Sequence, residues 1–275
     1  MKLIVVLLIS CLGSLAHAWT IDANFDSGTL GEKADGGGDG FHGSGGMSLY
    51  SDTEKLKGQS AQLSINGGET GYGNWGGEFT FPENVIKGET VWYLVHTFFP
   101  TTFDHYSYGE GNRLKFLRIH TKTETGDHIG YVDLLVDMKD DPTPYKWIYE
   151  GQNHWREVGV YSDLIVKGVW ESYQMAVTFG DIPKDSGGVS EVKFWKNGKL
   201  IGHITDARTM NSPTDLVDRA LLFTYWNGGS PKTQSMYVDE VKITNEAPST
   251  VDSNGYSYLP SVNSNKPKLG TVTRD

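Results

Sequence analysis

Arg113, Lys115, Arg118, His120 and Lys122 crowd one ten-residue run, RLKFLRIHTK, interleaved with Leu114, Phe116, Leu117 and Ile119. Successive side chains on a β-strand point to opposite faces, so Leu117 and Ile119 would face one way and Arg118 and His120 the other. A strand with one apolar and one cationic face suits a sheet that packs on a core and lines a groove with its far side. Cationic donors on that side could hold and neutralise an anion, and His120 could move a proton. A polar turn leads into a second strand-like run, HIGYVDLLVD, so 111–137 reads as a hairpin around which the chain is organised.

The elements that must position this hairpin read as all-β. Helix signals are scarce, Gly and aromatic residues are plentiful, and short alternating runs recur between turn residues, the pattern of a two-sheet antiparallel sandwich or jelly roll. Strands are expected at 19–25, 61–65, 77–81, 91–98, 191–195, 200–205, 221–226 and 235–244. The 91–98 run is apolar on both faces and therefore central. Asn197-Gly198 between two such runs marks a tight hairpin, since both turn residues need positive φ. The Gly- and Asp-rich stretch 26–46 reads as loop. His105, Tyr106 and Tyr108 fall in a loop that could overhang the groove. In the 235–244 run, Tyr237, Asp239, Val241 and Ile243 share one side by parity.

Residues 1–18 have the form of a secretory leader: Lys2, an apolar run from Leu3 to Leu8, and Ala16-His17-Ala18 as a cleavage site. The expectation is a secreted, monomeric protein with one domain over 19–245 and a polar tail or linker over 246–275. The sole cysteine, Cys11, lies in the leader, so a core rather than disulfides must supply stability. The apolar run is too short to span a membrane. A net charge of −10 argues against nucleic acid, yet an acidic ligand stays open because local potential in a cleft decides binding.

Most familiar catalytic patterns are missing: there is no H-E-x-x-H, G-x-S-x-G or phosphate-binding loop. The E-x-D-x-x-E strand of laminarinase-type glycosidases is also missing. Asp133 and Asp137 stand about 13 Å apart at strand rise, farther than the roughly 5 Å of a retaining carboxylate pair. What remains is a base with an anion neutraliser, the chemistry that eliminates across the glycosidic bond of a uronic acid. There the proton on C5 is removed, the carboxylate is neutralised and the leaving oxygen is protonated. Lys115, Arg118, His120 and Tyr225 are the candidates for those roles. On 221–226, parity sets Leu221, Phe223 and Tyr225 against Leu222, Thr224 and Trp226; Thr224 favours the Trp226 side for the groove, and a bulge would reverse that.

In its order of elements the chain resembles the jelly-roll polysaccharide lyases, the group that holds alginate, glucuronan and ulvan lyases. FDSGTLG, VWYLVHTFFPTTF, LKFLRIH, KGVWESYQMAV, VKFWKNGKLIG, FTYWNGG and MYVDEVKIT resemble that group's segments in sequence order. In LKFLRIH, Arg118 stands where alginate lyases carry glutamine and His120 where they carry histidine. The R-x-E-x-R and Tyr-x-Lys-x-Gly motifs are absent. The resemblance implies a lyase acting on an acidic polysaccharide, with Arg113, Lys115 or Arg118 as neutraliser and Tyr225, Tyr149 or His120 as acid or base. It also implies Arg113, Tyr145, Trp147, Tyr149, Trp226 and Asn227 as substrate contacts, and no catalytic cofactor. Asp26 and Asp239 fall on elements that meet in such sandwiches and could hold a structural calcium ion. The competing readings are a lectin-like sandwich using the same aromatics as sugar platforms and a laminarinase-type glycosidase.

Overall fold

The computed structural model describes residues 17–262, except 44, 46, 72–74, 106–112, 138–145, 153 and 161–162. Leader residues 1–16, Tyr106, Tyr108, Tyr145 and residues 263–275 lie outside the described residues. The strands of the described chain pair antiparallel, a 3-10 turn spans Lys184–Ser186, and no helix among the described residues is long and apolar enough to cross a membrane.

The strands are β1 (Thr20–Ala23), β2 (Ser48–Ser51), β3 (Ser60–Ile65), β4 (Gly77–Val85), β5 (Thr90–Phe98), β6 (Arg113–Lys122), β7 (His128–Asp137), β8 (Lys146–Gly151), β9 (His154–Val158), β10 (Trp170–Thr178), β11 (Glu191–Lys196), β12 (Lys199–Ile204), β13 (Leu216–Trp226) and β14 (Gln234–Thr244). One sheet runs β12-β11-β10-β5-β14-β3-β2, with β1 also on β14; the other runs β4-β13-β6-β7-β8-β9. The apolar faces of both sheets meet in one core. The 91–98 run sits in the middle of its sheet, between β10 and β14, as a strand apolar on both faces should. Pro82 lies in β4, an edge strand, where a missing N–H costs no ladder bond.

Two features depart from the sequence reading. Glu240, at φ +47°, breaks the alternation of β14, so Met236, Val238, Val241 and Ile243 face the core while Asp239 does not share their side. Residues 246–262, read from their Pro, Ser and Asn content as tail, are laid across the outer face of the larger sheet. Trp195 Nε1 donates to Asp252 Oδ2 (2.8 Å), Trp92 Nε1 to the Ser257 carbonyl (3.0 Å) and Leu259 N to Gln174 Oε1 (3.1 Å). Polar composition there serves hydrogen bonding to a sheet, not solvation of a loose end.

Candidate active site

The face that the six-stranded sheet turns away from the core is built in rungs. One rung crosses all six strands, each residue opposite the next: Trp155, Glu150, Asp133, Arg118, Leu221 and Glu78. The neighbouring rung carries Tyr131, His120, Arg219 and Thr80. A cleft of about 560 Å³ lies over the second, lined by His120, His128, Tyr131, Arg219, Thr224 and Glu78 among others. A smaller hollow of about 180 Å³ lies across Tyr131, against Arg118, Asp133 and Glu150.

Two irregularities decide which side chains reach this face. In a regular strand Lys115 would share Leu117's side. The register shift between Lys115 and Leu117 instead leaves Phe116 and Leu117 both in the core and brings Lys115 round beside Arg118. In β13, Phe223 adopts φ +50° and the register shifts between Leu222 and Tyr225. Phe223 thereby enters the core, packed on Phe116 at 4.6 Å between ring centroids, and Thr224 turns out to the cleft. Tyr225, directly opposite Lys115, keeps the groove side, and Trp226 is fully buried. The hydroxyl of Thr224 therefore does face the groove, but by a local swap that carries no information about Trp226. Gly76 makes room for the swap: a Cβ there would come within 1.9 Å of the Leu222 carbonyl.

The expected cationic face is in fact charge-balanced. Arg113, Lys115, Arg118, Lys122 and Arg219 are met by Asp137, Asp133, Glu150, Asp218 and Glu78. Arg118 Nε donates to Asp133 Oδ1 at 2.9 Å, its Nη1 reaches Thr224 Oγ1 at 3.4 Å, and its Cζ lies 3.7 Å from the Tyr131 ring centroid. Lys115 pairs with Glu150 and, at 3.3 Å, with Asp133. The physical reason is burial: Lys115, Arg118 and Asp133 are nearly enclosed, and an unpaired charge there would cost several kcal/mol.

His120 is the best-supported proton carrier by geometry. Its Nδ1 lies 2.7 Å from Asp218 Oδ1 and its Nε2 2.9 Å from His128 Nδ1. Burial opposes ionisation of Asp218, but hydrogen bonds from His120, Arg219 and Lys122 outweigh it and hold the carboxyl well below the usual range. An ionised Asp218 fixes His120 with its proton on Nδ1. A neutral His120 then accepts from His128 Nδ1–H, which leaves Nε2 of the exposed His128 as an acceptor. Partial burial, with the Arg118 guanidinium nearby, lowers the His128 pKa below the ordinary histidine value and favours an unprotonated acceptor there.

The other expected contacts divide. Arg113 and Tyr225 lie on the groove side, and Asn227 donates its backbone N–H to the Arg113 carbonyl (2.9 Å) at the end of β13. Trp147, Tyr149 and Trp226 do not line the groove. Trp147 packs on Phe116 and Tyr173 and donates Nε1–H to the Asp163 carbonyl; Trp226 stacks on Trp75 and Phe103; Tyr149 lies against Phe194. Burial raises the Tyr149 phenol far above its usual pKa, which removes it as an acid or base. His105 is buried against Phe99 and Phe103, not poised over the groove.

Asp26 and Asp239 both reach the loop between β2 and β3, but as acceptors of backbone amides. Gln59 N donates to Asp26, and Leu56 N, Lys57 N and Glu240 N donate to Asp239. Burial pushes Asp239 up to about 7 despite these donors. No group of three or more metal-ligating side chains occurs among the described residues.

Tyr131, His128, Asp218, Arg219 and Trp155 escaped the sequence reading. A signal for the first existed: once Arg118 and His120 are placed on one face, pairing within the hairpin brings Asp133 and Tyr131 opposite them. Asp218 and Arg219 arrive from β13, and nothing local in the sequence announces that pairing.

This two-sheet architecture is that of the jelly-roll polysaccharide lyases. Among solved structures, the alginate lyase Aly36B superposes with a TM-score of 0.57 at 12% identity, covering 82% of this chain and 96% of that one. The endo-β-1,4-glucuronan lyase of the fungus Trichoderma reesei gives 0.53 at 12%, covering 83% and 95%. The alginate lyase vAL-1 from Chlorella virus gives 0.50 at 13%, covering 74% and 95%. At such identities the likeness is one of fold. No protein-family profile and no curated protein matches the chain in sequence.

Proposed function

We propose that this protein is a polysaccharide lyase that cleaves a uronate-containing chain by β-elimination in the groove of the six-stranded sheet. The observation that carries the reading is the convergence of His120, His128, Tyr131 and Arg219 around one cleft, with Arg118 beneath Tyr131. The fold likeness to alginate and glucuronan lyases supports it.

In this reading Arg219, the more exposed of the two arginines, meets the uronate carboxylate, while Arg118 holds Tyr131 and Asp133 in place. The C5 proton passes to the imidazole pair. A proton taken at His128 Nε2 can be relayed through Nδ1 to His120, whose cation sits against Asp218. The C5 electron pair forms the C4–C5 double bond, the bond from C4 to the glycosidic oxygen breaks, and a phenol, Tyr131 or Tyr225, protonates the leaving oxygen. The test is incubation with alginate, polyglucuronate and ulvan while following the ultraviolet absorbance of the unsaturated product. Growing absorbance supports a lyase, and reducing ends without it would indicate a glycosidase.

One observation favours a second reading. Arg113, Lys115, Arg118, Lys122 and Arg219 each already have a carboxylate partner, as in a non-catalytic carbohydrate-binding sandwich that needs no uncompensated charge. Retained polymer binding with no product of either kind would select it.

A further inference from the structure

Among the phenylalanine, tyrosine and tryptophan side chains of the described residues only Trp155 is exposed, at 39% of its surface. It belongs to β9, the edge of the groove sheet, and stands opposite Glu150 on the rung that contains Arg118. Its position is not that of a stray surface tryptophan. Arg113, from β6, reaches over the two intervening strands and sets its Cζ 4.4 Å from the ring centroid; Lys115 Nζ lies at 5.6 Å. Two cations against one ring hold it in a fixed orientation, and the attraction of a guanidinium to an indole face strengthens where water is partly excluded.

Arg113 is also the least satisfied of the groove cations. Its nearest carboxylate oxygen, on Asp137, is 3.7 Å from Nε, beyond hydrogen-bond length, and that buried Nε has no hydrogen-bond partner. Lys115 and Arg118, by contrast, are hydrogen-bonded to carboxylates. The rim of the groove thus presents an exposed indole beside a part-exposed guanidinium that is only loosely paired. A pyranose ring stacks its apolar C–H face on indole, and its carboxylate pairs with the outer nitrogens of an arginine.

We propose that Trp155 and Arg113 form a binding subsite for one uronate residue of the chain, at the β9 rim of the groove and apart from the His120 cleft. The inference rests on the polyuronate reading of the groove and names where the chain extends beyond the reacting bond. Uniform binding at such a place lowers KM without raising kcat.

The experiment compares the full-length wild type with Trp155→Ala and Trp155→Tyr on alginate and polyglucuronate, and on short oligomers of each. Polymer binding is measured in parallel by affinity electrophoresis, which needs no turnover. On whichever polymer is cleaved, Trp155→Ala should raise KM about tenfold, the loss usual for a truncated tryptophan anchor, with kcat unchanged. Trp155→Tyr should restore most of the loss, and the shortest cleavable oligomer should show none. Turnover by the wild type with an unchanged polymer KM in Trp155→Ala overturns the subsite and leaves the lyase reading standing. Absent turnover, with binding that Trp155→Ala weakens, overturns the lyase reading and keeps the subsite. If the wild type neither cleaves nor binds either polymer, both fall.

Discussion

Each sheet has one face turned away from the core, and the two outer faces are finished differently. The larger sheet is closed by residues 246–262, whose backbone and short polar side chains answer Trp92, His96, Ser172, Gln174 and Trp195. The six-stranded sheet is left open and answers its buried charges with one another, as in the Lys115–Asp133–Arg118 and His120–Asp218–Arg219 networks. A covered face can satisfy polar groups with neutral backbone. An open face that must accept a ligand has to carry its own counter-charges. Chemistry is therefore expected on the second face and stability on the first.

The largest test of that division is His120→Ala. On the proposed mechanism, loss of the imidazole that receives the relayed C5 proton should lower turnover by about 10²–10⁴-fold, while the melting temperature stays near wild type because Asp218 keeps Lys122 and Arg219. A fully active variant would move the chemistry off this face. Asp133→Ala is expected to behave otherwise, although it lies on the same face. It strips Lys115 and Arg118 of a shared, fully enclosed partner, and breaking a buried pair costs about 3–5 kcal/mol, readable by chemical denaturation. A loss under half of that would mean the network is solvated and the contrast between the faces is weaker than drawn.

Ending the chain at Asn245 should cost about 2–4 kcal/mol, since Leu259 loses its burial and Trp195 its cover. Activity per folded molecule should not change, because no residue of 246–262 touches the groove network; a selective fall in turnover would tie the two faces together. The smallest effect concerns pH. His96 is buried neutral, accepting Val262 N–H at Nε2 (3.1 Å), and burial lowers its pKa. The unfolded chain then binds more protons below the ordinary histidine value of 6.5, so stability is complete above that pH and falls as pH drops through it. His105, pushed down to about 3 by burial and by Lys167, adds to the same slope. His96→Gln should reduce the fall without removing it; an unaltered pH profile would show that His96 does not anchor the covering segment.

The strands were legible because alternation and turn residues are local. The 113–122 strand is recovered to the residue, and the Asn197-Gly198 turn joins β11 to β12 as its chemistry requires. Faces were legible only where the pleat is regular. Phe116 and Phe223 interrupt it, and no composition rule reveals that a phenylalanine will take φ +50°. Aromatic clustering misled for a related reason: in WIY the period of two puts Trp147 and Tyr149 on one face together, but it does not say which face, and the core took both. The His120–Asp218 and Arg219–Glu78 contacts join residues 98 and 141 positions apart. That information resides in sheet order alone.

The covering segment also sets how the molecule can be held. At Val262 the chain lies on the outer face of the larger sheet, so any extension beyond that point starts on the side of the sandwich away from the groove. A bead, a surface or a second domain joined there would present the groove outward, and a long polymer could lie along it without meeting the support.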